Sequence, residues 1–144
     1  MTVIAWDGTT LAADKQSTSV GYGSTVTKVH RVPHGILAVM GDGACAMAIV
    51  RWFKSGSDMA SFPYAADPER SASAVFITKS GQVRFYCNSP HYEVYEDEFA
   101  AFGSGRDYAL TAMFLGLAAR DAVAVACELD INCGNGIDTL TLER

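Results

Sequence analysis

The chain has 144 residues, 49% hydrophobic and 19% charged, with a formal net charge of −5. That length supports one domain with a buried core, and the composition excludes a disordered or fibrous chain. The acidic balance, with no lysine–arginine cluster, argues against a nucleic-acid surface, and no apolar run approaches the ~20 residues that span a bilayer.

Taken in order, residues 2–6 read as a strand, Asp7-Gly8 as a turn and residues 9–14 as the return strand, because Asp-Gly between two such runs is a hairpin signal. Cross-strand partners share a face, so a three-residue loop, Asp7-Gly8-Thr9, is expected to set Thr2 opposite Asp14. Residues 17–24 are rich in serine and glycine and read as a connection. A strand over 25–32 would place Val26, Lys28, His30 and Val32 on one face. After the Pro33-His34-Gly35 turn, residues 36–40 form an apolar strand that runs into Gly41-Asp42-Gly43 and a helix over 44–53. Residues 54–70 carry Gly56, Pro63 and Pro68 and read as irregular, with a short helix near Asp58. Strands over 72–78, 82–87 and 91–95 follow, Ala100-Ala101-Phe102 leads into Gly103-Ser104-Gly105, and then come helices over 106–119 and 121–130, the second opening at Asp121 as cap, and a last strand over 137–142. This order does not alternate strand with helix, so two antiparallel sheets covered by helices are expected rather than a parallel sheet.

Several of these positions carry chemistry. Once Met1 is removed, Thr2 holds a hydroxyl and a free α-amine, a nucleophile and its own base in one residue. Asp14 sits at the end of the return strand, and Lys28 shares a strand face with Val26 and Val32, where a lysine is either an edge-strand charge or a partly buried ammonium that lowers the pKa of a neighbouring nucleophile. Gly41-Asp42-Gly43 before a helix suits an oxyanion or phosphate cradle. Ser104 with Asp107 reads equally as a capping box. The four cysteines, Cys45, Cys87, Cys127 and Cys133, have no framework or metal-ligand spacing and read as free thiols of a reducing cytoplasm; no metal and no cofactor is expected. Nothing at the start resembles a secretory leader.

Four segments in order resemble the proteasome β-subunit family and its bacterial relative HslV, which are N-terminal nucleophile (Ntn) hydrolases. They are Ala12-Ala13-Asp14-Lys15-Gln16-Ser17-Thr18, Thr27-Lys28-Val29-His30-Arg31-Val32, Gly103-Ser104-Gly105-Arg106-Asp107-Tyr108-Ala109 and residues 120–137. The resemblance implies an α+β fold, a four-layer αββα sandwich of two antiparallel sheets. It implies a threonine-type peptidase with Thr2 as nucleophile, Lys28 lowering the hydroxyl pKa, Asp14 pairing Lys28, and Gly41 giving the oxyanion amide. Ser104, Asp130 and Cys133, where serine is usual in the family, would support the amine. Thr18 would hold substrate backbone as an added strand, and Ser17, Val26, Met40 and Ala44 would line the P1 pocket. The implied partners are a peptide or unfolded protein, a homo-oligomeric ring and an AAA+ ATPase unfoldase, with no nucleic acid and no membrane. Two other readings share the fold: a catalytically silent assembly subunit, and an Ntn amidase for a small molecule.

Overall fold

The computed structural model describes residues 2–19 and 22–143. Its strands are β1 (Ile4–Trp6), β2 (Thr10–Asp14), β3 (Gln16–Ser19), β4 (Tyr22–Thr25), β5 (Val29–Val32), β6 (Gly35–Gly41), β7 (Ala72–Thr78), β8 (Val83–Cys87), β9 (Tyr92–Tyr95), β10 (Ala100–Phe102) and β11 (Ile137–Thr141). Its helices are α1 (Gly43–Lys54), α2 (Arg106–Phe114) and α3 (Ala119–Leu129). The strands form a four-stranded sheet in the order β10-β1-β2-β11, a five-stranded sheet β5-β6-β7-β8-β9, and a two-stranded ribbon β3-β4. Every pairing among the described residues is antiparallel.

Period-two alternation sorts the strand side chains into layers. Ile4, Trp6, Leu11 and Ala13 pack against Val29, Ile36, Ala38, Val75 and Ile77 between the sheets. Val3, Ala5 and Ala12, on the other face of the same strands, lie under Ala109, Ala119, Ala122 and Ala126 of α2 and α3. Leu37, Val39, Ala74 and Phe76 meet Ile49, Val50 and Phe53 of α1. The result is the expected α+β sandwich, helix–sheet–sheet–helix.

The structure differs from the sequence reading in four places. The first hairpin pairs Ile4 with Ala13 and Trp6 with Leu11, so the register runs one residue longer than expected and Asp14 meets Val3 rather than Thr2. The cause is Asp7, whose Oδ1 accepts from the amides of both Thr9 and Thr10 and opens the turn. The serine- and glycine-rich connection is ordered as the β3–β4 ribbon, and the chain leaves it through residues 26–28 to start β5, so residues 25–32 are not one continuous strand. The α2 helix stops at Phe114 because Gly116, at φ 102°, takes the left-handed conformation, with its amide and that of Leu117 turned back onto Met113 and Ala112. Finally, α3 begins at Ala119 and is capped not by Asp121 but from the first hairpin, by Asp7 Oδ2 on the Ala119 amide at 2.9 Å.

Candidate active site

Three polar or charged side chains are buried among the described residues, and they touch one another. Thr2, Asp14 and Lys28 are 5%, 0% and 6% exposed. Lys28 Nζ donates to Asp14 Oδ1 at 2.8 Å and to Thr2 Oγ1 at 3.0 Å. Burying a charge is costly unless it is paired and hydrogen-bonded, so a buried ammonium aimed at a hydroxyl is a built feature.

The shifted register does not take Asp14 from this corner. The Asp14 amide donates to the Val3 carbonyl, whereas the Val3 amide donates to Asp14 Oδ1 at 3.1 Å. The carboxylate therefore takes the place of a strand carbonyl in accepting from the Val3 amide. Its Oδ2 accepts from Gln16 N at 3.3 Å and Gly134 N at 3.1 Å. The expectation tied to face parity fails, and the carboxylate still reaches Lys28.

Lys28 comes from the crossing segment 26–28, outside β5, and its carbonyl is held by the Val39 amide. Ser104, which the capping-box reading assigned to a helix start, does not cap: α2 has Gly105 at its N-cap and no side-chain cap bond. Its hydroxyl instead lies 3.3 Å from Thr2 N and 3.4 Å from Asp130 Oδ2. Asp130 Oδ1 accepts from Asn132 N, and Cys133 Sγ lies 3.6 Å from Oδ2. Burial, with Asp14 and Asp130 nearby, pushes the Cys133 thiol up to about 12, so it is a protonated donor at neutral pH. Close approach is enforced by glycine here: a Cβ on Gly103 would stand 2.2 Å from the Thr2 carbonyl oxygen, and one on Gly105 would stand 3.1 Å from Cys133 Sγ.

A cavity of about 160 Å³ opens on Thr2 and Lys28. Ser17, Thr18, Val26, Met40 and Gly41, all singled out in the sequence, line it. Ala44 does not: α1 starts at Gly43, and the face turned to the cavity carries Gly43, Ala46 and Met47, leaving Ala44 exposed. Gln16, Thr27, Val39 and Met47 also line it and were missed. The three-and-four spacing of Gly43, Ala46 and Met47 was a signal for the α1 members, given the right helix start. Gly41 holds φ 101°, and a Cβ there would meet the Ser71 carbonyl at 2.6 Å, so only glycine fits. The neighbouring helix start is not an open phosphate cradle, because Asp42 caps it with a bond from Cys45 N at 3.1 Å, which also holds the Asp42 carboxyl below its usual range. Among the described residues there is no cluster of metal-ligating side chains, and no helix is long and apolar enough to cross a membrane. The expected removal of Met1 concerns a residue outside the described ones.

The helix–sheet–sheet–helix layering is the Ntn-hydrolase sandwich fold of its structural neighbours. Within that fold the chain is similar to HslV-type, proteasome-like subunits. It aligns with Thiobacillus denitrificans BPH in complex with epoxomicin over 100% of both chains, at TM-score 0.72 and 18% identity. It aligns with eukaryotic HslV from Trypanosoma brucei over 99% of both chains, at TM-score 0.73 and 18% identity. No family model matches the chain, and neither does any curated protein. At this identity the likeness is one of fold.

Proposed function

We propose that the protein is a threonine-type peptidase that works, after loss of Met1, through the Thr2 hydroxyl in a self-compartmentalising ring. The observation that carries this reading is the buried Asp14–Lys28–Thr2 chain, 2.8 and 3.0 Å per link. The freed α-amine, which titrates near pH 8, takes the hydroxyl proton as Oγ1 attacks the peptide carbonyl. The Lys28 ammonium favours the developing alkoxide, and Asp14 fixes the ammonium. The Gly41 amide receives the oxyanion. Collapse breaks the C–N bond, the α-ammonium returns its proton to the leaving amine, and water then hydrolyses the Thr2 ester. Ser104, Asp130 and Cys133 hold the amine in place. Substrate backbone lies along β3 at Thr18, with its side chain among Ser17, Val26, Met40 and Met47. The HslV likeness supports a homo-oligomeric ring acting on peptides or unfolded protein; an AAA+ ATPase feeder is part of the proposal and rests on the family resemblance of the sequence alone.

The test is intact mass with and without epoxomicin, the compound named with the Thiobacillus neighbour. The expected result is a chain lacking Met1 that gains one epoxomicin, and a Thr2→Ala variant that gains none. A chain that keeps Met1 and hydrolyses no peptide would overturn the reading in favour of a silent assembly subunit.

A further inference from the structure

A second, larger cavity lies on the opposite end of α1. The helix covers β6 and β7 as far as Phe53 and then turns away through Gly56 and Ser57, leaving the end of the five-stranded sheet bare on that face. The gap measures about 480 Å³, within the ~300–1,000 Å³ range of ligand pockets. Its floor is aromatic: Phe53, Phe76 and Tyr86, each buried. Its rim carries two cations, Lys79 and Arg84, beside His34 and no Asp or Glu, although the chain holds 16 acids against 11 Lys and Arg.

Neither Lys79 nor Arg84 forms an ion pair with a described residue. Arg84 is held in place, with Nε 2.7 Å from Gln82 Oε1 and its guanidinium 4.4 Å over the Tyr92 ring. Lys79 is set by the turn, its amide donating to the His34 carbonyl at 3.1 Å. His34 and Ser57, two of the chain's non-glycine residues at positive φ (71° and 58°), both sit on this rim. Such strain gathers at ligand clamps.

We infer that this cavity binds a carboxylate carried on an aromatic or bulky apolar group, with the anion between Lys79 and Arg84 and the apolar body on Phe53, Phe76 and Tyr86. A fixed guanidinium and a free ammonium over an apolar floor select an anion of amphipathic shape over either a bare anion or a neutral ring. The ligand's source is a free acid of amino-acid size or the last residue of a peptide, two forms of one chemistry. The inference stands whether or not Thr2 is a nucleophile, since it shares no residue with that site.

Titration of the full-length, isotope-labelled chain with N-acetyl-phenylalanine, followed by NMR, tests it. The amides of Thr78, Lys79 and Arg84 are expected to shift, with affinity at least tenfold above that of neutral N-acetyl-phenylalaninamide. Lys79→Ala and Arg84→Gln should each lower affinity at least fivefold, the first lying on an exposed turn where folding is unaffected. A pentapeptide ending in phenylalanine separates the sources: tighter binding than the acetyl amino acid assigns a chain terminus, weaker binding a free acid. Equal affinity for acid and amide, unchanged affinity in both variants, or shifts confined to Met40, Gly41 and Met47 would overturn the proposal.

Discussion

Replacing Lys28 by methionine separates the electrostatics of the Thr2 corner from its packing. Methionine keeps most of the stem's volume and removes the ammonium, so the Asp14 carboxylate, 0% exposed, loses its counter-charge. Breaking a buried pair costs about 3–5 kcal/mol. The amides of Val3, Gln16 and Gly134 still hold the carboxylate at 3.1–3.3 Å, which places the loss near the lower end, about 3 kcal/mol. With a urea slope of about 2 kcal/mol/M, the midpoint should fall by roughly 1.5 M. Adding Asp14→Asn removes the stranded charge, and the double variant should recover at least half of that loss. Turnover of a fluorogenic peptide should drop at least a hundredfold in both, within the ~10²–10³ that loss of one group stabilising a developing charge costs. An unchanged urea midpoint in Lys28→Met would refute the buried pair. A stable variant with near-native turnover would refute the mechanism.

Three further outcomes follow from the same structure. The cavity walls at Val26, Met40 and Met47 are apolar, and burying a leucine side chain gains about 1.5–3 kcal/mol, so peptides with leucine, tyrosine or phenylalanine at P1 should be cleaved at least tenfold faster than acidic or basic ones; a library preferring a charged P1 would contradict this. Burial pushes the Cys127 and Cys133 thiols up to about 11 and about 12, which leaves almost no thiolate at pH 8; a disulfide reagent should label exposed Cys87 first and Cys133 only on unfolding, and native labelling of Cys133 would count against its buried setting. Burial, with Lys54 nearby, holds the His30 imidazole below its ordinary 6.5, so the unfolded chain binds more protons just below that pH and stability should fall as pH drops through this window; His30→Asn should flatten the decline between pH 7 and 5.5, and an unchanged slope would exclude His30 as its source.

The layers of the fold were legible because alternation and helix spacing report burial directly. Residues 72–78 were read as a strand with the bounds they have. What escaped were effects carried by side chains reaching beyond their own element. Asp7 lengthens the hairpin and caps α3, residue 119, from 112 positions away, which no local pattern encodes. The β3–β4 ribbon is polar on both faces, so its strands lack the alternation that marks a half-buried sheet; it is pinned from the other end of the chain by Asn135 Nδ2 on the Gly23 carbonyl. Ser104 satisfies a capping rule in sequence and ignores it in space, because the Thr2 nitrogen and Asp130 are nearer partners. The Thr2, Asp14 and Lys28 set was accessible through the family resemblance, whereas Gln16 required coordinates.

The carboxylate of Asp14 also has a bearing on timing. Its four donors come from Val3, Gln16, Lys28 and Gly134, and the last is 120 residues away along the chain. During synthesis from the N-terminus, the first three segments leave the ribosome long before residue 134 does. Until then Oδ2 lacks one of its two amides and the loop that also ties down the β3–β4 ribbon. The corner around Thr2 therefore closes only after residue 134 has emerged, and a nascent chain shorter than that lacks the amide that completes the hold on Asp14.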